Sequence, residues 1–476
     1  MNIPPPAEPL IPASLAVAAL TTALGWAARG PALEDLDGAN FRLGLDHFAL
    51  ALHQPHFPGY PVFMALAGAL YTAGLGGVAA LQLPGAVGWG AGVGAFAYAA
   101  GRRYGAWVGG LAAGFAAASP LALLTSGRTG SDALGAGLLL VACSAFSEAD
   151  RTGDRRFSAL SAALAGLVLG VRLSYAPAVF GLLALLAWRP DRAVVAAAVT
   201  GGLLAWALPF AAFVGPGALL AEAPTFVAGH FFHWGGTALV AHGPSLLARA
   251  AAWAASFVGQ GLGLPTAEGS LLRWLWLPFA VLGALVGVGQ LPARERGALA
   301  AVALPYGAWL GFGQNPEHPR HLLPLVPLAA LLIGRGLALQ PVLGVVAVGV
   351  AVGVVVPLAI THATVPSPES QLARWMVDHE RPDRVLLFAG QSERVLLATA
   401  PAFRVEYAPD AAEMGRRLLH LNSPPPRLLW TDEFPGSASA PPGFGPPQVV
   451  AVFARDAAVD PHRPRITLYT ATPETP

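Results

Sequence analysis

The stretch "IPASLAVAALTTALGWAA", Ile11 to Ala28, decides the class of this chain. It carries no charge over 18 residues, close to the roughly 20 that an α-helix needs to cross a bilayer. Similar runs recur at "AVGWGAGVGAFAYAAG" (86–101), "AWVGGLAAGFAAAS" (106–119), "LLVACSAF" (139–146) and "AVLGALVGVGQL" (280–291). Of the 476 residues, 55% are hydrophobic and 12% are charged, and the mean hydropathy is +0.56. Soluble domains carry about 25% charged residues. Backbone in a bilayer is satisfied only by helices or closed barrels, and these runs lack the alternation of a barrel. The reading is a polytopic α-helical membrane protein of about 11 to 13 spans. The net charge of +1 argues against a nucleic-acid partner. The single Cys143, inside an apolar run, reads as a structural thiol.

The flank ahead of Ile11, "MNIPPPAEPL", has no basic residue, so the first run reads as a retained helix and not as a cleaved signal. Lys is absent, and Arg alone sets the orientation. Arg102, Arg103, Arg151, Arg155, Arg156, Arg189, Arg192, Arg294, Arg296 and Arg335 fall in gaps that the positive-inside rule places in the cytoplasm. The N-terminus is then cytoplasmic and the protein multi-pass in the inner or plasma membrane. Two moderately apolar stretches, 60–78 and 246–264, become juxtamembrane or re-entrant. Nine of the 12 histidines (His47, His53, His56, His230, His233, His242, His318, His321, His362) fall in or beside the external loops.

From residue 363 the texture changes. "PSPESQLARWMVDHE" reads as a polar helix, and "RVLLFAG", "RLLWTDEF", "PQVVAVFA" and "RITLYTA" as short strands between Pro/Gly-rich turns. The organisation is therefore a membrane domain over 1–362 and a small extracytoplasmic α/β domain over 363–476. The run "GWGAGVGAF" lies inside an apolar segment, where glycines serve close helix packing better than nucleotide binding.

The stretch 37–61, "DGANFRLGLDHFALALHQPHFPGYP", packs two Asp, three His, an Arg, an Asn and a Gln into 25 residues. Three further polar clusters fall on the same side: "SGRTGSDALG" with Arg128 and Asp132, "GVRLSYAP" with Arg172, and "QNPEHPRHLLPLVP" with Glu317, His318, Arg320 and His321. Arg128 and Asp132, four apart, share a face if the helix begins early. Ionisable groups at or near membrane depth are costly and mark function. Arg suits a phosphate, and a carboxylate can take a proton from an attacking hydroxyl. Plainer roles compete. Asp37 can cap a helix, and Asp46 can cap or pair. Asp132 can be an N-cap, and Arg172 and Arg320 can snorkel. Glu34 and Asp35 read as exposed loop residues able to stand in for Asp37.

In order and texture these clusters resemble the GT-C membrane glycosyltransferases of the protein O-mannosyltransferase and aminoarabinose-transferase type (glycosyltransferase family 39 and relatives). Asp37 with Phe41 matches the family's Asp after the first helix. "HFPGYPVF", with His56, resembles its basic-Pro motif. "RTGSDA" matches its Asp-Ala helix start through Asp132, and "RHLLPLVPLAALL" resembles its external Arg segment through Arg320. The resemblance covers about residues 10–360. It implies an inverting transfer of a sugar from a polyprenyl-phosphate carrier to an acceptor hydroxyl outside the membrane, with Asp37 as general base. Arg128, Asp132, Arg172, Arg320 and His321 would bind the donor or its phosphate. Asn40, Phe41, Gln54, His56 and His318 would line the acceptor or substrate pocket. No cofactor is certain, and the sugar carrier is a co-substrate. A divalent metal on His53, His56, His230 and His233 is one use of the imidazoles; hydrogen bonds to acceptor or headgroup are the other. The chain departs from the family in two places: Gly38 stands where many members have Glu, and Phe57 interrupts the basic-Pro-Pro motif. Two rival readings are a transporter or flippase and a lipid-linked-oligosaccharide ligase. No internal repeat favours the transporter.

Overall fold

Glycines determine how the first helices meet. Helix α1 (Leu10–Ala27) and helix α4 (Gly77–Tyr104) cross so closely that a Cβ on Gly90 would stand 2.7 Å from the Ala18 carbonyl oxygen. A Cβ on Gly92 would stand 2.8 Å from Cα of Gly137 on α7 (Asp132–Thr152). The Gly-rich run is thus a packing seam, as small residues allow in a membrane bundle. The computed structural model describes residues 10–241, 243–265, 270–421 and 427–472. His242 lies outside the described residues.

The chain divides into two compact units. The first comprises the described residues up to Arg29, Leu50–Leu52 and His56–Ile360. It contains α1, α3 (Pro61–Thr72), α4, α5 (Ala106–Ala117), α6 (Pro120–Ser126) and α7. Helices α8 (Arg155–Val171), α9 (Ala176–Ala187), α10 (Arg192–Val214), α11 (Pro216–Phe232) and α12 (Leu246–Ser256) follow. Helices α13 (Leu271–Gln290), α14 (Ala293–Gly313), α15 (Val326–Leu337) and most of α16 (Pro341–Thr364) complete it. A 3-10 segment, Pro319–Leu325, leads into α15.

Among the described residues six stretches are long and apolar enough to cross a membrane: α1, α7, α10, α13, Pro319–Leu337 and Pro341–His379. The pair α5 and α6, bent by 65°, makes a seventh if counted as one broken span. Helix α3 has 12 residues and α12 has 11, about 18 and 16 Å of rise, short of a 30 Å hydrocarbon core. Both fall in the two stretches that the orientation rule made juxtamembrane or re-entrant. The buried face of α7 and the partners of α4, α8 and α15 form a common apolar core that includes Trp89, Leu139, Val168, Tyr175 and Leu323.

The second unit comprises Gly30–Ala49, His53–Pro55 and the described residues from Thr361 onward. It holds α2 (Leu36–Asp46), α17 (Pro368–His379), α18 (Ser392–Thr399) and α19 (Ala411–Leu419). Its five strands are β1 (Val385–Ala389), β2 (Arg404–Tyr407), β3 (Arg427–Thr431), β4 (Gln448–Ala454) and β5 (Arg465–Thr470). The sheet order is β2-β1-β3-β5-β4, with β1 parallel to β2 and β3, and β5 antiparallel to β3 and β4. Strand β1 is buried throughout, as a central parallel strand must be, hence its unbroken "VLLFA". Leu372, Met376, Leu387, Leu429 and Leu468 fill one face of the sheet; Leu386, Phe388, Leu428, Trp430 and Met414 fill the other. Just past the carboxyl end of β3, Glu433 accepts from the Ser392 amide at 3.0 Å, from Thr431 Oγ1 at 2.9 Å, and from Ser392 Oγ and Arg463.

Candidate active site

In the first unit the predicted polar groups gather at the start of α7. Ser131 is the N-cap residue and Asp132 the first residue of the helix, so Asp132 is free of a capping role and Arg128 lies in the loop before it. Arg172, at the C-cap of α8, turns inward and is buried. Its guanidinium stands 3.1 Å from the Asp132 carboxylate and 3.1 Å from Ser131 Oγ. It also donates to Nδ1 of His321 at 3.3 Å. Because guanidinium has no acceptor, Nδ1 carries the lone pair and the ring proton of His321 sits on Nε2. A buried Arg–Asp pair is costly to desolvate, and Ser131 and His321 engage two further contacts of the Arg172 guanidinium, while its buried Nε makes no hydrogen bond.

Aromatic hydroxyls brace the cluster. Tyr175 donates to the Asp132 carbonyl at 3.2 Å, and Tyr306 to the His321 carbonyl at 2.6 Å. The two rings meet edge-to-face at 5.7 Å. His318 lies 6.1 Å from His321, ring to ring, and Trp253 lies 6.4 Å away on the same imidazole. Arg320, beside His321 on the 3-10 segment, adds a second positive charge that acts on both Arg172 and His321.

A second group lies on α11. The rings of His56, Phe226 and His230 stack in a column, at 5.7 and 6.4 Å between centroids. His56 Nε2 bonds the hydroxyl of Tyr60 at 2.6 Å, and His230 Nε2 donates to the Gly313 carbonyl at 2.9 Å. Tyr60 is held at φ 49°, a left-handed conformation that costs a non-glycine residue about 1 kcal/mol or more. The imidazoles of His56 and His230 are thus separated by a phenyl ring. His233 is exposed at the end of α11, and His53 is exposed in the other unit. Among the described residues no three His, Cys, Asp or Glu side chains could hold a metal ion.

Asp37 lies in the second unit, in the first turn of α2 and half-buried. Asp35, not Asp37, is the N-cap, its carboxylate accepting from the Gly38 amide at 2.7 Å. Asn40 and Phe41 are buried in the same helix. Asp46 is exposed and pairs with Arg42 at 2.6 Å, the plainer of its two roles. Gln54 is tied by its main chain to Ala49, at 2.7 and 3.0 Å. Glu34, expected on a loop surface, is buried at 4% exposure and paired with His362.

Tyr175, Tyr306 and Arg249 were not singled out by the residue pattern. Arg249 is 1% exposed, and it donates to the carbonyls of Gly311 and Gly236 at 2.8 Å each and to that of Gln314. It pins the segment before Pro319. A lone Arg in the apolar helix "LLARAAAW" was the available signal.

The opposite end of the bundle is Arg-rich. Arg103 pairs with Asp150 at 3.1 Å and Glu295 at 2.9 Å, and Arg294 with Asp150 at 2.5 Å. Arg335 covers the ring of Tyr104 at 4.2 Å. Asp132 and Asp150 sit near opposite ends of the 21-residue α7, about 27 Å apart along its axis. A cavity of about 590 Å³ reaches from this Arg-rich end, past Leu139 and Cys143, to Tyr306. Its charged lining is Arg103, Asp150, Arg189, Arg294 and Glu295, none of them a predicted site residue.

Among solved structures, the apo form of ArnT from Cupriavidus metallidurans superposes with a TM-score of 0.57 at 14% identity, covering 98% of this chain and 100% of that one. The chain has the GT-C fold. ArnT bound to undecaprenyl phosphate scores 0.45, also at 14% identity, over 97% of this chain and 98% of its own. The apo oligosaccharyltransferase of Archaeoglobus fulgidus scores 0.48 at 14% identity, over 82% of this chain and 64% of its own. No family model and no curated protein matches the chain. The GT-C fold accounts for the small C-terminal sheet domain as well as the helices, since the apo ArnT match spans both.

Proposed function

We propose that this protein is a membrane glycosyltransferase that moves a sugar from a polyprenyl-phosphate carrier to a hydroxyl acceptor on the extracytoplasmic face. The acceptor oxygen attacks the anomeric carbon as the bond from that carbon to the phosphate oxygen breaks, inverting the centre. Polyprenyl phosphate leaves with the bonding electrons, and Asp37 takes the hydroxyl proton as general base. Arg172 and Arg320 meet the charge that grows on the departing phosphate, where preorganised cations contribute most. Asp132, Ser131 and His321 aim Arg172, and Arg128 is a further phosphate contact. Asn40, Phe41, Gln54, His56 and His318 belong to the acceptor side. The Arg-rich end of the bundle faces the cytoplasm, and the C-terminal domain stands outside.

One observation carries this reading: a chain of GT-C fold buries an Asp132–Arg172–His321 cluster at one end of its helices, where the family resemblance asks for donor-phosphate contacts. The test compares glycolipids and glycoproteins, by mass spectrometry, between cells with and without the gene. A glycan that disappears on deletion and returns with the wild-type gene supports the reading; unchanged glycans overturn it. Asp37→Asn should lower product by about 10²- to 10⁴-fold, the usual contribution of a general base, with undecaprenyl phosphate still bound.

A further inference from the structure

The polar loop that follows α1 is part of the small domain. Residues 30–49 group with the C-terminal residues, and α2 packs on α18. The join is built from buried polar groups. Ser367 and Ser370 both donate to the Leu33 carbonyl, at 3.1 and 2.5 Å. The next residue, Glu34, places one carboxylate oxygen 2.7 Å from Nε2 of His362 and the other 3.4 Å from Arg455. Arg455 in turn holds Asp460 at 3.0 Å and donates to the Val365 carbonyl at 3.3 Å. The side chains of His362 and Arg455 are wholly buried, and that of Glu34 is 3% exposed. Gly30 completes the seat, because a Cβ there would collide with the Glu34 carboxylate, whose two oxygens are already held.

Buried charges are weak as a source of stability and strong as a source of register, since any displaced arrangement strands an unpaired ion. Leu33 and Glu34 stand four and three residues before Asp37, across the Asp35 cap from which α2 starts. We infer that Glu34 is a positioning residue: clamped by His362 and Arg455, it lets the C-terminal domain set where Asp37 stands. This rests on the reading of Asp37 as general base. It gives the domain a catalytic task of its own, holding the first polar loop in working geometry, at a place where misplacement by about 1 Å costs on the order of 10²-fold in rate.

The experiment uses the full-length protein in nanodiscs. Amide hydrogen exchange over residues 36–46 is measured for wild type, Gly30→Ala, Glu34→Gln and Arg455→Met. Exchange should quicken by about 10-fold or more as the loop opens locally. Undecaprenyl phosphate binding, read by native mass spectrometry, should stay within about 2-fold, while product in the complemented deletion strain falls by about 10²-fold. Ser370→Ala should move in the same direction more weakly, and Ser370→Thr, which keeps the hydroxyl, should stay near wild type. Should Arg455→Met fail to insert, Gly30→Ala and the Ser370 pair decide. Unchanged exchange over 36–46 in the folded variants overturns the clamp, whatever Asp37→Asn does. Faster exchange together with full activity in Asp37→Asn leaves the clamp as a structural join and overturns its catalytic role.

Discussion

Arg172 is the residue whose surroundings most constrain its replacement. Its guanidinium meets Asp132, Ser131 and His321 from one planar fork, within 3.1 to 3.3 Å. Lys offers a point charge on a flexible stem and cannot serve three directions at once. Arg172→Lys should therefore lose most product while the protein still inserts. Asp132→Asn leaves the buried cation without its counter-ion, and removing one partner of such a pair costs about 3–5 kcal/mol. That variant should melt earlier in detergent, and Asp132→Asn with Arg172→Met should recover part of the loss. Recovery in the double variant is the measurement that separates pairing from independent roles. The ionic members of this cluster were legible in the sequence, because Arg, Asp and His are rare in so apolar a chain. Tyr306 and Tyr175 were not, since a Tyr among apolar residues reads equally as interfacial belt material until its hydroxyl partner is known.

Between elements the decisive contacts are backbone against backbone. Gly92 on α4 faces Gly137 on α7, with Cα of Gly137 2.8 Å from where a Cβ would stand. Neither main chain can yield, so Gly92→Val should destabilise by about 1–3 kcal/mol or more through overpacking. Gly110, on α5, has nothing within 4 Å, and Gly110→Ala should be neutral or slightly stabilising. Melting temperatures of the two variants in one detergent check the contrast. This seam was readable from "GWGAGVGAF". Strand β2 was not: "RVEY" has four residues, two of them charged, and lies at the sheet edge, half exposed, where burial gives little pattern to read. The membership of α2 in the small domain was also hidden. Helix α2 has a mixed surface, and its partner α18 comes some 350 residues later in the chain. From that contact and the Leu33 bonds, a fragment of residues 361–476 alone should melt well below the same fragment joined to residues 30–49. Circular dichroism of the two fragments decides it.

At the scale of the molecule, the feature that orders everything else is the charge difference between the two ends of α7. Asp132 pairs with Arg172 at one end, while Asp150 joins Arg103, Arg294 and Glu295 at the far end. The sequence made this separation legible in outline, because the positive-inside rule and the histidine distribution sorted the same loops into two sets. Helix number was less legible. Several runs that look continuous, such as 106–126, break into helices too short or too bent to cross alone, as Ser119 and Pro120 start a new helix at 65°. Sidedness follows from the proposed orientation and can be read directly, because the chain has one cysteine to remove. In a Cys143→Ser background, Thr152→Cys marks the exposed end of α7 and Ser439→Cys an exposed loop of the small domain. A membrane-impermeant maleimide applied to intact cells whose plasma membrane is reachable from outside should label Ser439→Cys and spare Thr152→Cys until the cells are lysed. The reverse pattern would turn the molecule over in the membrane, put the Arg-rich end outside against the positive-inside rule, and leave Asp37 on the cytoplasmic face.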